Sequence, residues 1–130
     1  MAATKSKTIK ELKEKFKFLQ SDVLAILVFG SYVKKDLTPR SDIDICLVAP
    51  DRSPAELLKK VFQNTDTKGF DIYCFQELPL HIQKEIIENH LLLYTKDKPA
   101  LYEYFYFFRK LWNAQKHRQG LTKEEMLAMV

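Results

Sequence analysis

Cysteine is scarce in this chain of 130 residues, and the two present, Cys46 and Cys74, sit in apolar stretches without forming a CxxC pair. That argues against a zinc ribbon or a disulfide scaffold, and the expected compartment is the reducing cytoplasm. Long apolar runs are also missing. The longest, Val23 to Phe29, falls far short of the ~20 residues that a membrane-spanning helix needs, so no membrane association is expected. The first ten residues, Met1 to Lys10, are polar and lysine-rich without an apolar centre, which is unlike a signal peptide. No internal repeat or low-complexity segment is visible. Charge of one sign is not concentrated either. Lys and Arg number 21 against 17 Asp and Glu, a net +4, but no dense basic block marks a nucleic-acid footprint. Nucleic acid is therefore not the expected partner, while a mildly basic surface suits an anionic nucleotide.

What is present is an ordinary globular mixture, 46% apolar and 29% charged, in a length that fits one compact domain. Thr8-Ile9-Lys10-Glu11 has the form of a capping box, and Ile9, Leu12, Phe16 and Leu19 recur at helical spacing, so 9–20 is expected to be an amphipathic helix. Val23 to Phe29 is an almost wholly apolar segment that ends at a glycine, the pattern of a buried strand. Residues 37–41 form a turn, and Ile43 to Val48 is the second strand. Ser53-Pro54-Ala55-Glu56 caps another helix, with Leu57, Leu58, Val61 and Phe62 as its expected buried face. Phe70 to Phe75 is a third strand, Pro79 opens a helix bearing Ile82, Ile86 and Ile87, and Leu91 to Tyr94 is a short fourth strand. Residues 99–118 read as helical with Gly120 as the stop, followed by a last short helix from Thr122. The fold class is α/β (α+β), a small mixed sheet with helices packed on it. Residues 1–96 form the main domain, and 97–130 a C-terminal helical extension.

The chemistry concentrates between Phe29 and Ile45. Asp42 and Asp44 are two apart on a strand, so both carboxylates emerge on one face while Ile43, Ile45 and Leu47 emerge on the other. Neighbouring carboxylates resist ionising together unless a cation lies between them, and hard oxygen donors of this kind suit magnesium. Gly30 ends the first strand and lets a phosphate approach the backbone; Ser31 adds a hydroxyl, and Lys34 and Lys35 add charge. Asp71 opens the third strand as Asp42 and Asp44 open the second. By alternation it shares its face with Tyr73 and Phe75. If the two strands pair, three carboxylates meet at one edge of the sheet. Thr38, Pro39, Arg40 and Ser41 read first as turn formers, with Arg40 in reach of a phosphate. The histidines, His81, His90 and His117, lack metal-ligand spacing.

Gly30-Ser31, ten intervening residues, then Asp42-x-Asp44 resembles the signature of the polymerase-β-like nucleotidyltransferase superfamily. The chain's size and the text around both motifs resemble its minimal members, the MNT proteins, over roughly residues 10–95. The resemblance implies magnesium-dependent nucleotidyl transfer from ATP with two magnesium ions, Asp42 and Asp44 binding both and Asp71 binding one. Asp71 would also take the acceptor's proton. Gly30, Ser31, Lys34, Arg40 and Ser41 would form the nucleotide-binding set. The text departs from the family at Val33, Lys34 and Lys35, where many relatives read Ala-Arg-Gly. Many MNT proteins are antitoxins that transfer AMP to a tyrosine of a HEPN-type toxin, and that is the function the resemblance implies here. The alternatives are neutralisation of a partner by contact alone, and transfer to a small-molecule hydroxyl.

One further stretch stands out. Leu101, Tyr104, Phe105, Phe108, Leu111 and Trp112 make one helical stripe, as a core face does, whereas Tyr102, Tyr106 and Phe107 fall outside it. Those three aromatic side chains are the expected surface for the HEPN-type partner.

Overall fold

The computed structural model describes residues 8–34 and 42–129, with side chains over 8–33 and 42–114. Four strands, β1 (Ala25–Phe29), β2 (Ile43–Val48), β3 (Phe70–Cys74) and β4 (Leu91–Thr95), form one sheet in the order β3-β2-β1-β4. β1 runs antiparallel to both β2 and β4, and β2 runs parallel to β3, so the sheet is mixed as expected. The parallel pair needs a crossover, which the helix α3 (Pro54–Asn64) supplies.

Alternation along the strands builds two cores, one on each face. Val28, Ile43, Ile45, Leu47, Phe70 and Cys74 point to the first, where Leu12, Phe16 and Leu19 cover them together with Leu57 and Val61 of α3. Ala25, Leu27, Cys46 and Val48 point to the second, beneath Phe75, Ile86, Ile87, Leu101 and Phe105. The covering helices there are α4 (Leu80–Glu88) and α5 (Lys98–Met129). In β4 the register shifts between Ile26 and Leu27: Ile26 pairs with Tyr94, Leu27 with Leu92, and Leu93 is the extra residue, so that Leu93 and Tyr94 both pack on the first core while Leu92 packs on the second.

The caps form where the sequence puts them. The Glu11 amide donates to Thr8 Oγ1 at 3.2 Å, and the Glu56 amide donates to Ser53 Oγ at 3.5 Å with Pro54 in the first turn. Three elements differ from expectation. The first helix, α1, covers only Ile9–Lys15; Phe16 leaves the helical region at φ −104°, ψ 12°, and a 3-10 turn over Lys17–Leu19 follows. This break lets Leu12, Phe16 and Leu19 all bury completely against a twisted sheet, which one straight helix does not readily follow. Phe62 is 61% exposed, because Leu57 and Val61, with Leu58 partly buried beside them, seat α3. Gly120 does not stop α5, which runs unbroken to Met129. A glycine inside a helix costs about 1 kcal/mol relative to alanine, and strong helix formers on both sides (Lys116, Gln119, Leu121, Lys123, Glu124) offset it.

α5 is thus about 48 Å long at 1.5 Å per residue, and its first turns belong to the domain. Phe75 anchors them: its ring centroid lies 5.7, 5.7 and 5.0 Å from those of Tyr104, Phe105 and Phe108. Buried Gln83 donates from Nε2 to the Phe75 carbonyl at 2.8 Å and ties α4 to the end of β3. Among the described residues, no helix is long and apolar enough to cross a membrane.

Candidate active site at the open end of the sheet

The helices α4 and α5 cover only part of the second face. Toward the C-terminal end of β1 and the N-terminal ends of β2 and β3 the same face carries Phe29, Asp44, Asp71 and Tyr73, none of them fully buried. Register fixes how they line up. Phe29 is opposite Asp44 in the β1–β2 pair, and Asp44 is opposite Asp71 in the β2–β3 pair, so one row crosses three strands. Asp42, exposed, precedes β2 by one residue.

The parallel β2–β3 pairing brings the third carboxylate beside the first two. The consequence is visible at Asp44. Burial, the Asp71 charge and the Asp42 charge together push its carboxyl up to about 6. Tyr73, two residues further along β3 than Asp71, has its phenol pushed up by burial and then by Asp71, Asp44 and Asp42. Among the described residues no salt bridge compensates any of the three carboxylates; the ion pairs are elsewhere, as at Asp22 with Lys60 and Arg52.

Gly30 sits directly against this cluster. Its φ of +73° lies in the left-handed region that a side chain disfavours, and an added Cβ would overlap Asp44 Oδ2 and stand 3.3 Å from its Cγ. The glycine therefore serves both the turn and the closeness of backbone to carboxylate. Ser31 opens α2 (Ser31–Lys34), whose Tyr32 and Val33 pack against the first core and fix the segment. The Val33 amide donates to the Gly30 carbonyl at 3.1 Å. Of Lys34 only the backbone is described, and Arg40 and Ser41 lie outside the described residues.

The three carboxylates share one end of the sheet without forming a closed cage. Among the described residues, no group of three or more Asp, Glu, His or Cys side chains is gathered closely enough to hold a metal ion by itself. The donor chemistry nevertheless fits a hard divalent cation. It is all carboxylate oxygen, without a compensating cation among the described residues, and magnesium prefers a few carboxylates completed by phosphate oxygens.

Two residues of this surface have no role in the sequence pattern. Phe29 and Tyr73 come from strands separated by β2, yet their rings meet over it, with centroids 5.6 Å apart and planes inclined at 58°. Alternation from Asp71 already places Tyr73 on this face; its contact with Phe29 depends on strand order, which one sequence does not display. The cysteines are inert packing: Cys46 is fully buried with its thiol pushed up by burial, and Cys74 is pushed up to about 11 by burial and then Glu77.

Residues 7–99 match the family described as Polymerase beta, Nucleotidyltransferase. A relative from Methanocaldococcus jannaschii, provisionally named a protein adenylyltransferase, is 46% identical over 99 residues, which is 75% of this chain and 76% of the relative. Among solved structures, a chain of a toxin–antitoxin complex with AMP-PNP superposes with a TM-score of 0.66 at 17% identity, covering 92% of this chain and 99% of its own. A chain from the complex of the tri-AMPylated Shewanella oneidensis HEPN toxin with MNT antitoxin gives 0.59 at 18% identity, again covering 92% and 99%. At those identities the structural likeness concerns the fold. The family match spans most of the chain and includes Gly30, Ser31, Asp42, Asp44 and Asp71, so this protein belongs to the polymerase-β nucleotidyltransferase family.

Proposed function

We propose that the chain is a magnesium-dependent adenylyltransferase that transfers AMP from ATP to a tyrosine hydroxyl of a HEPN-type toxin, and so acts as its antitoxin. The observation that carries the chemistry is the pairing of Asp44 with Asp71 with Gly30 directly against Asp44: backbone without a side chain beside two carboxylates that no described cation compensates. The relative's provisional name supports AMP transfer to protein, and the toxin–antitoxin complexes that share the fold support the partner class. Tyr102, Tyr106 and Phe107 on α5, at 51%, 62% and 60% exposure, give the domain an aromatic surface suited to such a partner.

In this reading the Gly30 backbone and the Ser31 hydroxyl hold the β and γ phosphates, with Lys34, Arg40 and Ser41 completing the nucleotide-binding set. Asp42 and Asp44 would hold both magnesium ions, and Asp71 one of them. When bound, the ions supply charge neutralisation and Lewis acidity at the phosphates. The acceptor oxygen forms a bond to the α phosphorus while the bond from that phosphorus to the α–β bridging oxygen breaks. Pyrophosphate departs on the Gly30–Ser31 side, and Asp71 takes the hydroxyl proton.

The test mixes the purified chain with the product of its neighbouring gene, ATP and magnesium, and weighs the neighbour by mass spectrometry. Added AMP on a tyrosine is expected. An intact, folded pair without added nucleotide mass would count against transfer. Neutralisation by contact alone, the reading that the exposed aromatic residues also support, would survive replacement of Asp42 and Asp44 by Asn, whereas neutralisation by transfer would not.

A further inference from the structure

We propose that Phe29 and Tyr73 form the acceptor subsite, a rigid aromatic platform that takes a flat phenolic side chain in preference to an aliphatic hydroxyl. This rests on the AMP-transfer reading above and deepens it by naming what selects the acceptor.

The sheet order is β3-β2-β1-β4, with Gly30 and Ser31 at the end of β1, Asp44 on β2 and Asp71 on β3. A displacement at phosphorus is in line, so the attacking oxygen enters opposite the leaving group. With the leaving pyrophosphate held at the end of β1 and the reacting phosphate over β2, the acceptor must arrive over β3. β3 is an edge strand, open to a large partner. On the site face it offers two side chains, Asp71 and, two residues on, Tyr73.

Tyr73 is suited to more than packing. Strands two apart in a sheet are separated by about 9.6 Å, so Phe29 and Tyr73 must lean toward one another across β2 to bring their centroids to 5.6 Å. Phe29, half-buried against the second core, backs the tyrosine ring and restrains it. Tyr73 still keeps 36% of its surface open, beside Asp71. An exposed ring that is already held in place can stack on an incoming ring without paying to order itself, and such ring pairs favour aromatic over aliphatic groups. An incoming tyrosine laid on this platform would bring its hydroxyl toward the carboxylate that receives its proton. Serine and threonine have no ring to stack.

Two measurements test this. In the first, N-acetyl-tyrosinamide and N-acetyl-serinamide are titrated into the full chain with AMP-PNP and magnesium while the ring resonances of Tyr73 and of Phe29, which the variant keeps, are followed by NMR. Saturable shifts with the tyrosine compound and none with the serine compound are expected, and Tyr73→Leu should abolish the binding. In the second, Tyr73→Leu should raise KM for the protein acceptor about two- to tenfold while leaving KM for ATP unchanged, and Tyr73→Phe should restore it. Circular dichroism and melting temperature check that both variants are folded. Absence of tyrosine-specific shifts, an unchanged acceptor KM in folded Tyr73→Leu, or a rise in KM for ATP (which would mean that the ring stacks on the nucleobase) overturns the proposal. The two readings fail separately. Tyrosinamide binding at Tyr73 without AMP transfer sinks the reaction and keeps the subsite; transfer that ignores Tyr73 does the reverse.

Discussion

One face of one sheet does two opposite things. Along β2, Cys46 and Val48 lie under α4 and α5 with no exposed surface, while Asp44, two residues earlier on the same face, stays half-open to water. Just past the end of β3, Phe75 is fully buried among the rings of α5, while Asp71 near the start of the strand is exposed. The backbone geometry is alike in both halves; what differs is the cover. Where helices close over the sheet, burial stabilises the fold. Where they stop, like charges crowd together and weaken it until a counter-ion arrives. The open end depends on the covered end, which holds the strands in register without closing over the carboxylates.

The sharpest way to break this division is at the carboxylates. Asp44→Asn is expected to reduce nucleotidyl transfer to background in the neighbour-labelling assay, yet leave the metal-free protein at least as stable as wild type by thermal melting. A folded variant that retained transfer would remove Asp44 from the reaction. At the covered end the signs reverse. Phe75→Ala removes a buried ring from three aromatic contacts and is expected to cost about 3–5 kcal/mol in denaturant unfolding, with activity lost only in step with the folded fraction. Gly30→Ala joins the two ends, since it strains a backbone at φ +73° and also pushes a methyl group into Asp44. We expect a stability loss of roughly 1–2 kcal/mol from the left-handed conformation, and loss of ATP binding by calorimetry in a protein that still folds.

The smallest effect sharpens the comparison through pH. Asp44 titrates at about 6 in the folded chain against 3.8 for an ordinary aspartate. The folded state therefore holds this proton more tightly, so the group's contribution to stability is greatest below pH 4 and is lost as pH rises through 6. For a half-exposed group the difference should be about 1 kcal/mol after solvent screening, read as the gap between wild type and Asp44→Asn measured at pH 5 and at pH 7.5. Asp22 shifts the opposite way, lowered first by its hydrogen bond from Lys60, so its contribution is present above its unfolded value and is lost on acidification below it. Comparison with the Asn variant separates the two. Magnesium should shrink the Asp44 effect.

The sequence makes some of this plain. Period-two alternation puts Asp42 and Asp44 on one face and Ile43, Ile45 and Leu47 on the other, and two capping patterns locate α1 and α3, because those signals are local. The site becomes a row only through the pairing of Asp44 with Asp71, twenty-seven positions apart, and the sequence states that pairing as a condition rather than a result. Other features escaped for the same reason. Phe16 leaves the helix to reach a core set by distant strands, Gly120 is carried by its neighbours, and Phe29 meets Tyr73 only because β2 runs between them. Each is a tertiary outcome overriding or completing a local preference.

The crossover through α3 has a consequence for the life of the protein. Because β2 and β3 are parallel and joined through that helix, no fragment that ends before β3 can bring Asp71 beside Asp44, and on the proposed reading a nascent chain carries Gly30, Asp42 and Asp44 without the complete carboxylate set. On that reading a chain still being synthesised turns over no nucleotide before β3 has emerged.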